Sequence, residues 1–520
     1  MVANYKEEVA MGDPAFISAP ALILRALSTD PDRRAITTAD RVEVTAGDFA
    51  AATYRLAHEL VARGVRRGAT VTLLTGNTAE ALSARYAAGL AGARVVNLYD
   101  GMSAPVLAEI VAGADTTVLL VDAERYTDAA ELLPLVDVTA VLALGPSGPA
   151  EDVIAASAGR PAEDPAVPVG PGDDIGIRHT GGTTGIPKGI VSLHGAYRSI
   201  LDTPFDGRPH DEPPRLLVAT SLAHLAGVLA DVTLHAGGSV VLQRSFDPGA
   251  VLAAIERERV TDLWLLPPLL YRLLDHPAIG RTGLAGLHRI TYGGCPSSPT
   301  RIREAVKVFG PILVSLYGMS EAQKIAVLTP DEYARFGDDG PLPVGRPFPD
   351  VEVAIRSADG TDLPAGEPGE VHVRSATLMA GYLKRPDLTE QVLHDGWLDT
   401  GDVGYFDADG YLYLSDRLKD LIIVVGGHVY PTEVEDLLLT HPAIAQCAVY
   451  GVRDAQEAEH VHVAVVPAPG QRPQLEDVRA FVTANKGRIY APEALHLVDA
   501  IPLTAVGKPD KKRLREALAD

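Results

Sequence analysis

A layered α/β fold followed by a smaller C-terminal domain is what the sequence predicts, from three observations. Strand-length apolar runs alternate with helical repeats through most of the chain up to about Leu316. After Ile355 the texture changes to short strands separated by turn signals such as SADG, PAGEPGE and DADGYLYL. From Leu421 the chain again has strands and helices of its own, and at 520 residues it is too long for one ordinary domain.

The elements follow in order. In TAGDFAAATYRLAHELVARG, Thr45 and Asp48 have capping-box spacing, and Phe49, Ala52, Leu56 and Leu60 recur at helical intervals until Gly64 stops the helix. An apolar run at Val71 to Leu74 reads as a strand and Thr78 to Gly89 as a helix, with β-rich runs near Val95, Val118 to Val121 and Val141 to Leu144. Residues 145 to 173, rich in Gly, Pro, Ala and Asp, read as a surface connection with a short helix near Val153. The alternation resumes at Ile175 and continues through Val240 to Leu242, Leu263 to Leu266 and Ile312 to Leu316. A β-rich subdomain is expected to end near Ser415. Three further strands are then expected, over Leu421 to Val425, Gln446 to Tyr450 and His460 to Val466. The boundaries are 1–415 for the large domain and 416–520 for the small one, with a hinge at 416–419.

Composition removes several functional classes. Apolar residues at 47% and charged residues at 22%, without a long biased tract, describe a folded globular chain. Lys and Arg number 46 against 68 Asp and Glu, a net charge of −22, which disfavours nucleic acid as a partner. An anionic cofactor then needs cations placed locally. Cys295 and Cys447 lack metal-ligand spacing, and His460 and His462 alternate on a strand with no third ligand nearby. The start, MVANYKEEVA, lacks the basic and apolar regions of a signal peptide. No apolar run reaches membrane-spanning length, REALAD carries no organelle address, and the cytoplasm is the expected compartment.

The most informative segment is HTGGTTGIPKG, from His179 to Gly189. Gly181, Gly182 and Gly185 let backbone N–H groups approach a polyphosphate, Thr180, Thr183 and Thr184 supply hydroxyls, and Lys188 supplies a cation. It is not a Walker A loop, because Pro187 precedes the lysine and the spacing differs. The string resembles the phosphate loop of the acyl-adenylate-forming superfamily, which includes acyl- and aryl-CoA synthetases, luciferase and nonribosomal-peptide adenylation domains. Gly181 departs from the serine usual there.

Further motifs follow in that family's order. SLAHLAG resembles the segment whose His224 gates the acyl pocket, with Leu225 directly after the gate. TYGGCP resembles a pocket-lining strand-turn formed by Gly293, Gly294 and Cys295. LYGMSE resembles the signature in which Tyr317 lies against adenine, Gly318 lines the substrate site, Ser320 faces the α-phosphate and Glu321 ligates Mg²⁺. In WLDTGDVG the resemblance makes Asp402 the acceptor for both ribose hydroxyls. In SDRLKDLI it gives Arg417 a nucleotide contact and makes Lys419 the hinge. Gly426 is implied to leave room for the thiol arm of coenzyme A, and His428 departs from the usual Asn or Arg. PLTAVGKPD brings Lys508 as the lysine that completes the adenylation site.

The resemblance implies a large α/β domain with β-sandwich and barrel-like parts, a mobile α+β C-terminal domain, and an active site between them. It implies ATP, Mg²⁺ and coenzyme A as cofactors. The expected reaction is activation of a carboxylic acid as acyl-AMP, then transfer to a thiol. Family members that activate amino acids place Asp after the gate, so Leu225 favours an acid without an α-amino group. Two other readings stay open: a stand-alone adenylating enzyme serving a carrier protein or another acceptor such as an amine, and a non-catalytic nucleotide-binding homologue.

Overall fold

A computed structural model of the chain describes residues 16–518, apart from 101, 147, 149, 181–187, 203–211, 338–339, 418–421, 425–426, 454–458 and 505–507. The first sheet holds β1 (Thr70–Leu74), β2 (Arg94–Asn97), β3 (Thr116–Asp122), β4 (Ala140–Leu144), β5 (Asp174–Thr180) and β6 (Lys188–Leu193), in the order β6-β5-β2-β1-β3-β4. All neighbours run parallel except β5 and β6. The second sheet holds β7 (Arg215–Val218), β8 (Ser239–Leu242), β9 (Asp262–Leu265), β10 (Arg289–Gly293), β11 (Leu313–Tyr317) and β12 (Ala326–Leu328), in the order β12-β11-β10-β9-β7-β8. It is parallel from β11 to β8. Strands such as TVTLL and LVSLY are buried at every position, which is why they read as continuous apolar runs with no alternation.

Helices α1 (Ala19–Ser28), α2 (Ala46–Ala62), α3 (Ala79–Leu90), α4 (His194–Asp202) and α5 (Leu225–His235) supply a shared core with the strands. The Thr45 side chain accepts from the Asp48 amide at the start of α2, and Gly64 follows its end at φ +90°, as the pattern predicts. The connection at 145–173 contains the expected short helix, Val153–Ser157. It also adds a two-residue edge strand, Glu151–Asp152, beside β4, which no alternation in so short a segment signals.

The β-rich part pairs Val351–Arg356, Gly369–Ser375, β13 (Trp397–Phe406) and β14 (Leu412–Arg417) antiparallel. The smaller C-terminal domain holds α7 (Pro431–Leu438), β15 (Ile444–Arg453), β16 (Glu459–Pro467), β17 (Ala494–Leu497) and α8 (Lys511–Leu518), with its own core around Val434, Val449, Val463 and Val478. Among the described residues, no helix is long and apolar enough to cross a membrane.

Candidate active site between the two domains

Tyr317 ends β11, and its buried hydroxyl donates to Asp402 Oδ2 at 2.6 Å, joining groups 85 residues apart that the motifs assign to one nucleotide. Asp402 lies on β13, buried, with its amide donating to Thr400 Oγ1. The contact fixes the carboxylate at the hydroxyl end of the Tyr317 ring. A hydrogen bond to a charged group contributes about 1.5–3 kcal/mol. Tyr317→Phe is therefore expected to raise KM for ATP roughly tenfold while changing kcat much less. Steady-state kinetics with varied ATP checks this.

The loop from β11 to β12 carries Ser320 and Glu321. It folds back on itself, with the Gln323 amide donating to Met319 O at 2.7 Å and the Ile325 amide to Tyr317 O at 2.9 Å. Gly318 is tight against this loop: a Cβ there would stand 2.0 Å from Gln323 O. Buried Glu321 accepts from the Tyr382 hydroxyl at 3.0 Å, and the Lys188 ammonium lies 5.0 Å from the centre of the Tyr382 ring. Tyr382 thus connects the expected metal ligand to the expected phosphate cation. The motif reading missed it, because the signal is a lone tyrosine beyond the assigned segments. Gly181, Gly182, Thr183, Thr184 and Gly185 lie outside the described residues, as do Lys419 and Gly426, and the side chains of Thr180, Arg417 and His428 are not described.

His224 precedes α5 and stacks on Tyr99, with ring centres 4.3 Å apart. Burial, reinforced by the positive charges of Arg178 and Lys508, pushes its imidazole down to about 3, so it is neutral. Leu225 packs against the cluster that contains Leu316 and Tyr317. Gly293 closes β10 where a Cβ would stand 2.1 Å from Leu316 O, so this glycine is required by strand-to-strand contact. Gly294 follows at φ +81°, a conformation that favours glycine. Burial pushes the Cys295 thiol up to about 12, against the opposing charge of Lys508. A thiol so held is no nucleophile at neutral pH.

Lys508 comes from the other domain, yet its charge bears on both His224 and Cys295. Its backbone is fixed by mutual bonds with Thr504: the Thr504 amide donates to Lys508 O at 2.7 Å, and the Lys508 amide to Thr504 Oγ1 at 3.2 Å. The following helix α8 is held to α7 by Lys511 and Glu435, 2.8 Å apart. Arg178 and Lys508 bring positive charge to His224, and Lys188 brings it to Tyr382, the kind of local cation that an anionic ligand needs in a chain of net charge −22.

Asp436 on α7 faces the large domain, where its charge is felt at Tyr271 of α6 (Pro267–Leu274). Burial, with Glu435 and Glu433 as like charges and Lys486 opposing, pushes this carboxyl up to about 8. The folded protein therefore holds the proton more tightly than the unfolded chain. The resulting loss of stability is absent below about pH 4, grows as pH rises, and is complete above the folded value. Asp436→Asn should raise Tm by a few degrees at pH 8.5, with the gain shrinking toward pH 5, as read by thermal unfolding across pH.

Residues 24–383 match the AMP-binding enzyme family, and residues 433–508 match the AMP-binding enzyme C-terminal domain. A medium/long-chain-fatty-acid–CoA ligase of Mycobacterium tuberculosis is 34% identical over 491 residues, spanning 91% of this chain and 85% of that protein. A feruloyl-CoA synthase of an Amycolatopsis species is 36% identical over 470 residues, spanning 89% of this chain and 91% of that one. The amide bond synthetase McbA from Marinactinospora thermotolerans superposes with a TM-score of 0.88 at 39% identity, over 96% of this chain and 100% of that chain. With both family domains matched in order and relatives of 34% and 36% identity over about nine-tenths of its length, the chain belongs to the AMP-binding enzymes, the acyl-adenylate-forming superfamily that its motifs resemble.

Proposed function

We propose that the protein activates a carboxylic acid with ATP, forming acyl-AMP and pyrophosphate, and then transfers the acyl group to coenzyme A. What supports this reading is the bond from Tyr317 to Asp402, together with Tyr382 between Glu321 and Lys188 and the charge of Lys508 acting at His224. A carboxylate oxygen attacks the α-phosphorus, and the bond to pyrophosphate breaks. Negative charge moves onto the leaving group, where cations held in place beforehand stabilise it more than they stabilise the bound substrates. In the second step sulfur attacks the acyl carbon and AMP leaves. Residues 1–415 and 416–520 act as the two moving units, with Lys419 as hinge and Gly426 on the thiol's path.

Among the described residues, no group of three or more His, Cys, Asp or Glu is arranged to hold a metal. Glu321 fits Mg²⁺ nonetheless, as one hard oxygen ligand for an ion that binds largely through phosphates. Bound there, the ion would neutralise charge on the phosphate oxygens. Leu225 offers no carboxylate to an ammonium, so the acid is one without an α-amino group. The cytoplasm is the proposed compartment.

A second reading, with an amine in place of the thiol, is favoured by the 39% identity to an amide bond synthetase across that protein's full length. The two separate by product. The enzyme with ATP, a reactive acid and either CoA or a primary amine should yield acyl-CoA by mass spectrometry under the first reading. Amide with no thioester would overturn it in favour of the second.

A further inference from the structure

A cavity of about 80 Å³ has His224 in its wall. His224, Ala223 and Arg178 line one end, and Arg85, Tyr86 and Asp231 the other. Leu225, Gly293, Gly294 and Cys295 are not among its lining residues. His224 and Asp231 are seven positions apart along α5, roughly 10 Å at the rise of an α-helix. The two side chains share one side of the helix, about 100° around from Leu225, which packs both against the Tyr317 cluster and against the core that holds Ile23, Tyr86 and Val95.

The polar end is a built hydrogen-bond cluster. Buried Asp231 accepts from Arg85 and from the hydroxyls of Tyr86 and Tyr197, and Arg85 also donates to Gly227 O at 3.2 Å. Gly227 has no room for a side chain, since a Cβ would stand 2.1 Å from Leu222 O and 2.8 Å from the Arg85 guanidinium. The rest of the lining includes apolar Ile23, Val95 and Ile177 together with polar Asn97 and Ser192. Asp231 is matched by Arg85 and two hydroxyls, and the positive charges of Arg178 and Lys508 act at His224. A cation is disfavoured there; an uncharged molecule with a short apolar body is not.

We propose that this cavity is an acceptor subsite that holds a short primary alkylamine in its uncharged form, its alkyl chain among the apolar walls and its nitrogen at His224. The proposal rests on the second reading above. The nitrogen lone pair forms the bond to the acyl carbon. The bond from that carbon to the phosphate oxygen breaks, AMP departs with the electron pair, and one N–H proton passes to solvent. Positive charge acting at His224 selects the nucleophilic form of the amine, since an ammonium has no lone pair to donate.

The test uses the full-length enzyme with ATP, a reactive acid and ethylamine or pentylamine, following pyrophosphate and amide separately. Ser192, which lines the cavity, is replaced in Ser192→Leu to fill it, and Ile23→Ala enlarges it. The expected result is a rise in KM for ethylamine of roughly tenfold or more in Ser192→Leu, the scale of lost space in an apolar pocket. Acid-dependent pyrophosphate release should stay within about twofold, and Ile23→Ala should shift preference toward pentylamine. If Ser192→Leu does not fold, Ile23→Ala alone decides. No amide from the wild-type enzyme would sink the second reading and the proposal together. Amide formation with unchanged amine KM in both variants would overturn the subsite and leave that reading standing. A changed KM for the acid alone would assign the cavity to the acid and overturn the proposal.

Discussion

Replacing Lys508 with alanine is expected to lower the rate constant for acyl-AMP formation by roughly two orders of magnitude, the effect of removing one preorganised stabiliser worth about 3 kcal/mol. The lysine stands on a loop of the C-terminal domain whose backbone is tied at Thr504, and its charge reaches His224 and Cys295 across the cleft. In the proposed mechanism a cation there stabilises charge that develops on the phosphate oxygens, so kcat should fall while ATP binding changes much less. Transfer from separately supplied acyl-AMP should survive if, as proposed, that step uses a rotated C-terminal domain. Rapid-quench measurement of the two half-reactions checks both halves. Equal loss in each would mean that Lys508 acts on folding or binding and not on the adenylation transition state.

Gly318→Ala should be the most damaging single-methyl change in the cleft. Its Cβ would meet the Gln323 carbonyl at 2.0 Å, and backbone cannot swing aside as a long side chain can. The loop that must move carries Ser320 and Glu321, and Gln323 in it already holds φ at +65°. Overpacking of this kind costs about 1–3 kcal/mol, and displacing Glu321 should add a loss of activity beyond the loss of folded protein. The expected outcome is a Tm lowered by several degrees and acyl-AMP formation reduced by more than roughly tenfold per folded molecule. Calorimetry with active-site titration separates the two. Wild-type activity would show that the loop relaxes without moving its carboxylate.

The same glycine shows where reading the sequence stops. Two motifs assign Gly318 and Gly293 to the substrate wall, yet the reason each is glycine is a neighbouring carbonyl, of Gln323 once the loop after β11 folds back and of Leu316 once β10 and β11 pair. The strands and the capped helix α2 were legible because local pattern encodes them: Thr45 at the cap, apolar residues at helical spacing, runs buried on both faces. Glu321 and Asp402 were legible because short motifs carry them. Tyr382 against Glu321, Tyr99 against His224, and the cluster of Arg85, Tyr86, Tyr197 and Asp231 were not. Each joins residues that are far apart in the chain, and a tyrosine or an aspartate within a helical pattern does not announce its partner.

Acid-dependent exchange of labelled pyrophosphate into ATP, measured without any acyl acceptor, addresses the central claim most directly. It reports reversible attack of a carboxylate on the α-phosphorus and nothing later. Over a panel of aliphatic and aromatic acids without α-amino groups, the account predicts exchange with at least one acid, and its loss by roughly two orders of magnitude in Lys508→Ala. ATP binding without exchange for any acid in the panel, or exchange unaffected by removal of Lys508, would contradict it.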